Sequence, residues 1–214
     1  MKIAVIMYYD KNACEYGDIN YNINKLYCEK YGLDLILSNE KTYDDRHPAW
    51  ERLPLILKHI KKYDYLIWID ADAFFYINSG NISDVINQNQ NVNFIFSKDI
   101  TNNNINTGIM IIKNAQFSID FINKWAFDEE LYKNNPCPHW WDQGVLISMY
   151  DKNILDIQNK QISYDYGVLQ HFYEDELNFL QKQPFIFHMA GYDKIDRINE
   201  SKKKYNKLIN QTAN

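Results

Sequence analysis

Asp70 and Asp72 stand two residues apart at the end of an apolar run, Tyr65 to Ile69, with only Ala71 between them. Burial disfavours an ionised carboxylate, so a pair of them at the edge of a core is costly unless something compensates. A hard divalent cation takes oxygen ligands of this kind, and the small Ala71 leaves room for a ligand to approach. The chemistry this suggests is a metal site that grips a diphosphate. A bare Asp-x-Asp fits a solvated turn cap just as well, so the weight falls on what accompanies it.

Four further segments carry compatible chemistry. Arg52, within Trp50 to Ile56, offers a bidentate contact to phosphate. Asn106-Thr107-Gly108 reads as a small hydrogen-bonding turn before the strand Ile109 to Ile112, with Gly108 allowing a sugar to come close. Trp140-Trp141-Asp142-Gln143 sets a carboxylate and an amide beside two indoles, a combination suited to sugar hydroxyls and to stacking on a pyranose face. His188 follows the apolar Phe185-Ile186-Phe187, and its imidazole at a strand end is a candidate for completing the metal shell. Each has an ordinary structural counterpart: a solvated helix charge, a polar turn, a helix start with core tryptophans, a buried structural histidine.

The elements that must position these groups follow from the patterning. Ile3 to Tyr8, Asp34 to Ser38, Tyr65 to Ile69, Asn93 to Ser97, Ile109 to Ile112, Ile154 to Tyr166 (with a turn near Asn159) and Phe185 to Phe187 read as strands. Helices are expected over Asp18 to Tyr31, with Asp18 as N-cap and Gly32 as stop, and over Pro48 to Lys62 with a kink at Pro54. Others follow from Ser83, over Ala115 to about Leu131, over Trp140 to Tyr150, and from Asp193 to the end. Thr101 to Asn104 reads as a short polar loop. Strand and helix alternate, so the fold class is α/β: one Rossmann-like, mainly parallel sheet with helices on both faces. Ligands in such sheets bind beyond the carboxyl ends of the strands, where Asp70 and Asp72 fall.

The chain has 214 residues, 46% of them hydrophobic and 24% charged, which suits one domain spanning residues 1–214 with a sizeable core. A net charge of −5 argues against a nucleic-acid partner and means that an anionic ligand needs local neutralisation. Aromatic residues make up 15%, a surplus that fits a carbohydrate ligand. Cys14, Cys28 and Cys137 suggest neither a disulfide framework nor a zinc motif. No membrane span or signal peptide is readable, so a cytoplasmic location is expected.

In their order, Trp50 to Ile56, Trp68-Ile69-Asp70-Ala71-Asp72-Ala73, Asn106-Thr107-Gly108, Asp142-Gln143 and His188-Met189-Ala190-Gly191 resemble the blocks of glycosyltransferase family 34. These are the retaining α-galactosyl-, α-mannosyl- and xyloglucan α-xylosyltransferases, and the resemblance runs from Trp50 to Gly191. It implies a GT-A fold and Mn²⁺, with Mg²⁺ as the alternative, held by Asp70, Asp72 and His188. It also implies a nucleotide base near Met7, Tyr8 and Tyr9, and a donor sugar and acceptor near Asp142 and Gln143. Gly191 and Lys194 would lie at the phosphates. Family members usually have Lys where Arg52 stands, a Lys closer behind the His-x-x-Gly, and a membrane anchor and stem ahead of the first strand. The expected activity is metal-dependent transfer of a hexose or pentose, with retention, from a nucleoside-diphosphate sugar (UDP-linked in preference to GDP-linked) to a glycan or other hydroxyl acceptor. The alternatives are a catalytically silent sugar-binding or scaffold protein on the same fold, and a haloacid-dehalogenase-type phosphatase. The latter places its Asp-x-Asp after the first strand, not the third.

Overall fold

The computed structural model describes residues 1–100, 104–173, 178, 180 and 182–212. The expected loop at Thr101 to Asn104 therefore lies outside the described residues, apart from Asn104. Six strands form the main sheet: β1 (Ile3–Tyr8), β2 (Asp34–Ser38), β3 (Tyr65–Ile69), β5 (Phe94–Lys98), β6 (Ile105–Lys113) and β7 (Gln161–Tyr164). Their order is β2-β1-β3-β6-β5-β7. β1 pairs parallel with β2 and β3, and β5 parallel with β7. Only β6 runs antiparallel to its neighbours, β3 and β5. The mainly parallel sheet is thus present.

Both faces are covered. Alternation along β1 sends Ala4, Ile6 and Tyr8 to one core, with Leu66 and Trp68 of β3. That core is closed by α2 (Arg52–His59), α4 (Gln116–Phe127) and α6 (Trp141–Asp151). Ile3, Val5 and Met7 face the opposite core, with Ile67 and Ile69, against α1 (Cys14–Tyr31) and α3 (Ser83–Gln88).

A second sheet, which the sequence did not reveal, has the order β4-β9-β8: β4 (Ala73–Phe75), β8 (Gln170–His171) and β9 (Ile186–His188). Its strands are too short to show a period. Antiparallel pairing sets Ala73 opposite His188, and β8 lies parallel beside β9.

Several local expectations change. α1 begins at Cys14, so Asp18 lies inside it and caps nothing; its carboxylate instead accepts from the Tyr9 hydroxyl at 2.7 Å. Gly32 does end α1, in the left-handed region at φ 68°. The helix expected over Ala115 to Leu131 breaks at Asp128, whose carboxylate caps a new helix, α5 (Glu129–Lys133), by accepting from the Leu131 N–H. Ile154–Asn159 is a 3₁₀ segment, with Leu155 and Asp156 at positive φ; the strand starts only at Gln161. The last helix is α7 (Lys194–Thr212). Among the described residues no helix is long and apolar enough to cross a membrane.

Candidate functional site

The Asp70-Ala71-Asp72 turn joins the two sheets: β3 runs into it and β4 leaves it. Its backbone is pinned from several sides. The Asp70 N–H donates to the Gly108 carbonyl at 2.9 Å, and the Met189 N–H to the Asp72 carbonyl at 2.9 Å. Asn20 and Asn24, fully buried one turn apart on α1, clamp it from below. Asn20 donates to the Ala71 carbonyl and Asn24 to the Ala73 carbonyl, while the Asn24 side-chain oxygen accepts from the Phe75 N–H.

Pairing of β9 with β4 brings His188 to this turn despite its distance along the chain. Its Nε2 lies 3.5 Å from Asp72 Oδ1 and 4.0 Å from Asp70 Oδ2. Its Nδ1 is 2.8 Å from Gln170 Oε1. An amide oxygen accepts only, so Nδ1 carries a hydrogen and Nε2 is the ring nitrogen that faces the carboxylates. One ligand atom from each of Asp70, Asp72 and His188 lies within 4.8 Å of the others. Two carboxylate oxygens and one neutral imidazole form a donor set that suits Mn²⁺ or Mg²⁺, so these residues fit the expected cation. Gln170 also donates to Asn106 Oδ1 at 3.1 Å, tying β8 to β6.

Asn106, Thr107 and Gly108 are not a turn but lie at the start of β6, where Asn106 pairs with Ser97 of β5 and the Gly108 carbonyl accepts from Asp70 just past the end of β3. Their polarity reads as a turn because the side chains face a cavity. Gly108 makes room for His188, since a Cβ there would overlap the imidazole, and it also lines the cavity.

Arg52 departs most from expectation. It is 4% exposed, and each of its three nitrogens contacts protein. Nη1 donates to the Thr107 carbonyl, Nε donates to the Ala49 carbonyl at 2.9 Å, and Nη2 lies 3.3 Å from Asp70 Oδ1. Asp142 Oδ2 sits 3.1 Å from Nε, close enough for charge attraction although the Nε hydrogen goes to Ala49. Arg52 therefore organises the carboxylates from the cavity wall. It stays buried because α2 begins at this residue, on the face packed against β3.

The electrostatics differ among the three carboxyls. Asp142 is fully buried, and burial pushes it up to about 7 against the pull of Arg52. Burial likewise raises Asp70, opposed by Arg52. Burial acts the same way on Asp72, but His188 and Arg197 outweigh it and hold that carboxyl down to about 2.

These groups line a cavity of about 730 Å³. Tyr8 and Tyr9 at the end of β1 form one wall, together with Tyr16. Met7 does not reach it: strand alternation turns its side chain into the α1 core, where Asn24 contacts its sulfur. Gln143 Oε1 accepts from both the N–H and the hydroxyl of Thr107, at 2.9 and 3.2 Å. Trp141, at φ 48°, stacks on His47 with ring centroids 3.8 Å apart. Gly191, at φ 80°, turns the chain from β9 toward α7 at the cavity wall. Lys194 lies there too, paired with Glu15 at 2.6 Å. One turn further, Arg197 sets Nη2 3.0 Å from Asp72 Oδ2.

Arg197, Gln170 and His47 were missed by the sequence reading. Arg197 shares a helix face with Lys194 at i,i+3, a spacing that could have exposed it. Gln170 and His47 carry no local signal.

A family model described as "Protein of unknown function, DUF273" matches residues 24–182. Xyloglucan 6-xylosyltransferase 4 of Arabidopsis thaliana is 27% identical over 113 residues, which are 48% of this chain and 22% of that protein. The chain thus spans about a fifth of the length of the curated relatives it matches. Among solved structures, a glycosyltransferase involved in glycosylation of the major capsid of PBCV-1 superposes with a TM-score of 0.76 at 15% identity, covering 95% of this chain and 100% of that one. The galactosyltransferase LgtC, in complex with donor and acceptor sugar analogues, gives 0.60 at 12% identity, covering 94% and 95%. The fold is that of the GT-A glycosyltransferases.

Proposed function

Because the chain belongs to the DUF273 family and carries its carboxylate pair on a GT-A fold, we propose that it is a metal-dependent retaining glycosyltransferase. Its donor is a nucleoside-diphosphate sugar, UDP-linked in preference to GDP-linked, and its acceptor a glycan or other hydroxyl. The observation that carries this reading is the convergence of Asp70, Asp72 and His188 at the wall of a cavity that also holds Tyr8, Tyr9, Asp142 and Gln143. The alternative of a phosphatase loses its ground with the fold, and the intact ligand set opposes a silent scaffold.

Asp70, Asp72 and His188 would hold the cation, which supplies Lewis-acid stabilisation of the leaving diphosphate when bound. Tyr8 and Tyr9 flank the nucleotide base. Lys194 and the backbone at Gly191 lie on the diphosphate side. Thr107 occupies Gln143 Oε1, so the amide NH₂ is the group Gln143 has for a sugar hydroxyl. Arg52 fixes Asp70 and Asp142 relative to each other. The sugar C1–O bond to phosphate breaks as the acceptor oxygen bonds to C1 from the same face, and the acceptor proton passes to a phosphate oxygen of the leaving group. No side-chain base is needed.

A panel of nucleotide sugars incubated with the protein and Mn²⁺, scored for release of free nucleotide, tests the proposal. Slow hydrolysis of one donor, lost on chelation, is the expected result. Absence of release and of binding across the panel would leave the scaffold reading as the better account.

A further inference from the structure

Two guanidinium groups balance the two carboxylates of the candidate metal site, and they differ in freedom. Arg52, on Asp70, is sealed in and also bonded to the Ala49 and Thr107 carbonyls. Arg197, on Asp72, comes from α7 and lines the cavity, with its side chain 24% exposed. Beyond that ion pair it has a long contact, 3.4 Å, from Nε to the Met189 carbonyl, and it lies over the Tyr16 ring at 5.6 Å.

We infer that Arg197 occupies Asp72 until the donor arrives and then pairs with the diphosphate, so that the site takes up a divalent cation together with a nucleoside diphosphate and not alone. The inference rests on the nucleotide-sugar reading and adds to it a residue and an order of binding.

Arg52 and Arg197 already pair with Asp70 and Asp72, one guanidinium to each carboxylate. A lone divalent cation would add two positive charges beside two guanidiniums that already sit on the same carboxylates. The diphosphate of a nucleotide sugar carries two negative charges, so cation and diphosphate enter together as a neutral pair. Arg197, released from Asp72, then finds an acceptor of the same sign close by. A guanidinium suits this exchange, because its planar fork binds carboxylate and phosphate alike in bidentate fashion. Arg52 is held more tightly, at 4% exposure and bonded to two backbone carbonyls as well as facing Asp70. Lys194 is separately engaged with Glu15, leaving Arg197 as the more exposed of the two cations in contact with the ligand set.

The test uses the metal-stripped full chain as wild type, Arg197→Ala, Arg197→Gln and Arg197→Lys. Mn²⁺ binding alone is read from the free-ion electron paramagnetic resonance signal. Binding of UDP and of GDP at saturating Mn²⁺ is read by calorimetry. Alanine and glutamine variants should take up Mn²⁺ alone several-fold more tightly than wild type, yet bind the preferred diphosphate about tenfold more weakly. Lysine keeps the charge without the fork, so Mn²⁺ uptake should stay as in wild type while diphosphate affinity falls; this variant carries the test if the others do not fold. Unchanged affinities, or a parallel fall in both, would overturn the inference and make Arg197 a structural tie between α7 and the turn. A wild type that binds neither diphosphate with Mn²⁺ would overturn the donor-site reading itself, and the inference with it.

Discussion

Replacing Asp142 with asparagine tests whether one guanidinium can keep a buried and a half-buried carboxylate charged. Asp142 has no exposed surface, its nearest cation is Arg52, and the Nε hydrogen of Arg52 goes to Ala49 instead. Burial raises the carboxyl from 3.8 to about 7. Between about pH 4 and pH 7 the folded chain therefore holds a proton that the unfolded chain has lost, and stability falls as pH rises through that window. A rise of that size corresponds to about 4 kcal/mol, an upper figure for a site that can relax. Asparagine has no proton to lose, so the variant lacks this slope. Urea unfolding of both proteins from pH 4 to pH 8, with chelator present, gives the stability difference at each pH, and groups common to both cancel. The difference should move in favour of Asp142→Asn by up to about 4 kcal/mol as pH rises to 7, then level off. Parallel profiles would mean that Arg52 keeps Asp142 ionised throughout, and the account of the site's charge would be wrong.

Three further outcomes follow from the geometry. Gly108→Ala should push the His188 ring off the carboxylates and weaken Mn²⁺ affinity by about 10- to 100-fold, read by metal titration; retained affinity would show that the ring has another resting place. Asn24→Ala removes a donor and an acceptor from buried backbone at Ala73 and Phe75, and should cost about 1–3 kcal/mol in chemical denaturation; a change near zero would show that the clamp on the turn is dispensable. Gln143→Ala should lower kcat by about 100-fold while donor affinity stays close to wild type, because the proposed function assigns its amide to the sugar and not the nucleotide; collapse of nucleotide binding would instead mark Gln143 as a support for Thr107.

What the sequence revealed and what it hid have separate causes. Asp70 and Asp72 were legible because an apolar run ending in two carboxylates has few inexpensive explanations. His188 was legible as a strand end, but its partner strand was not. β4, β8 and β9 are two or three residues each, and they are held by pairings between distant segments that no local period encodes. Asn106 to Gly108 misled because polar residues at a strand end facing a cavity resemble a turn. Ile154 to Asn159 misled because apolar residues spaced for a strand bend through positive φ at Leu155 and Asp156. Arg52 was marked as functional, yet its spacing could not show that burial would turn it inward to carboxylates. Arg197 lies in a basic, exposed-looking helix, and only the packing of α7 against α1 brings it to Asp72.

The central claim is that Asp70, Asp72 and His188 form one cation site that binds a nucleoside diphosphate. Calorimetry of UDP and GDP with Mn²⁺ and with chelator, on wild type and on Asp70→Ala, Asp72→Ala and His188→Ala, addresses it directly. The account predicts Mn²⁺-dependent binding of one diphosphate in the wild type and loss of that dependence in all three variants. Metal-dependent affinity that survives intact in the Asp70 and Asp72 variants would contradict it.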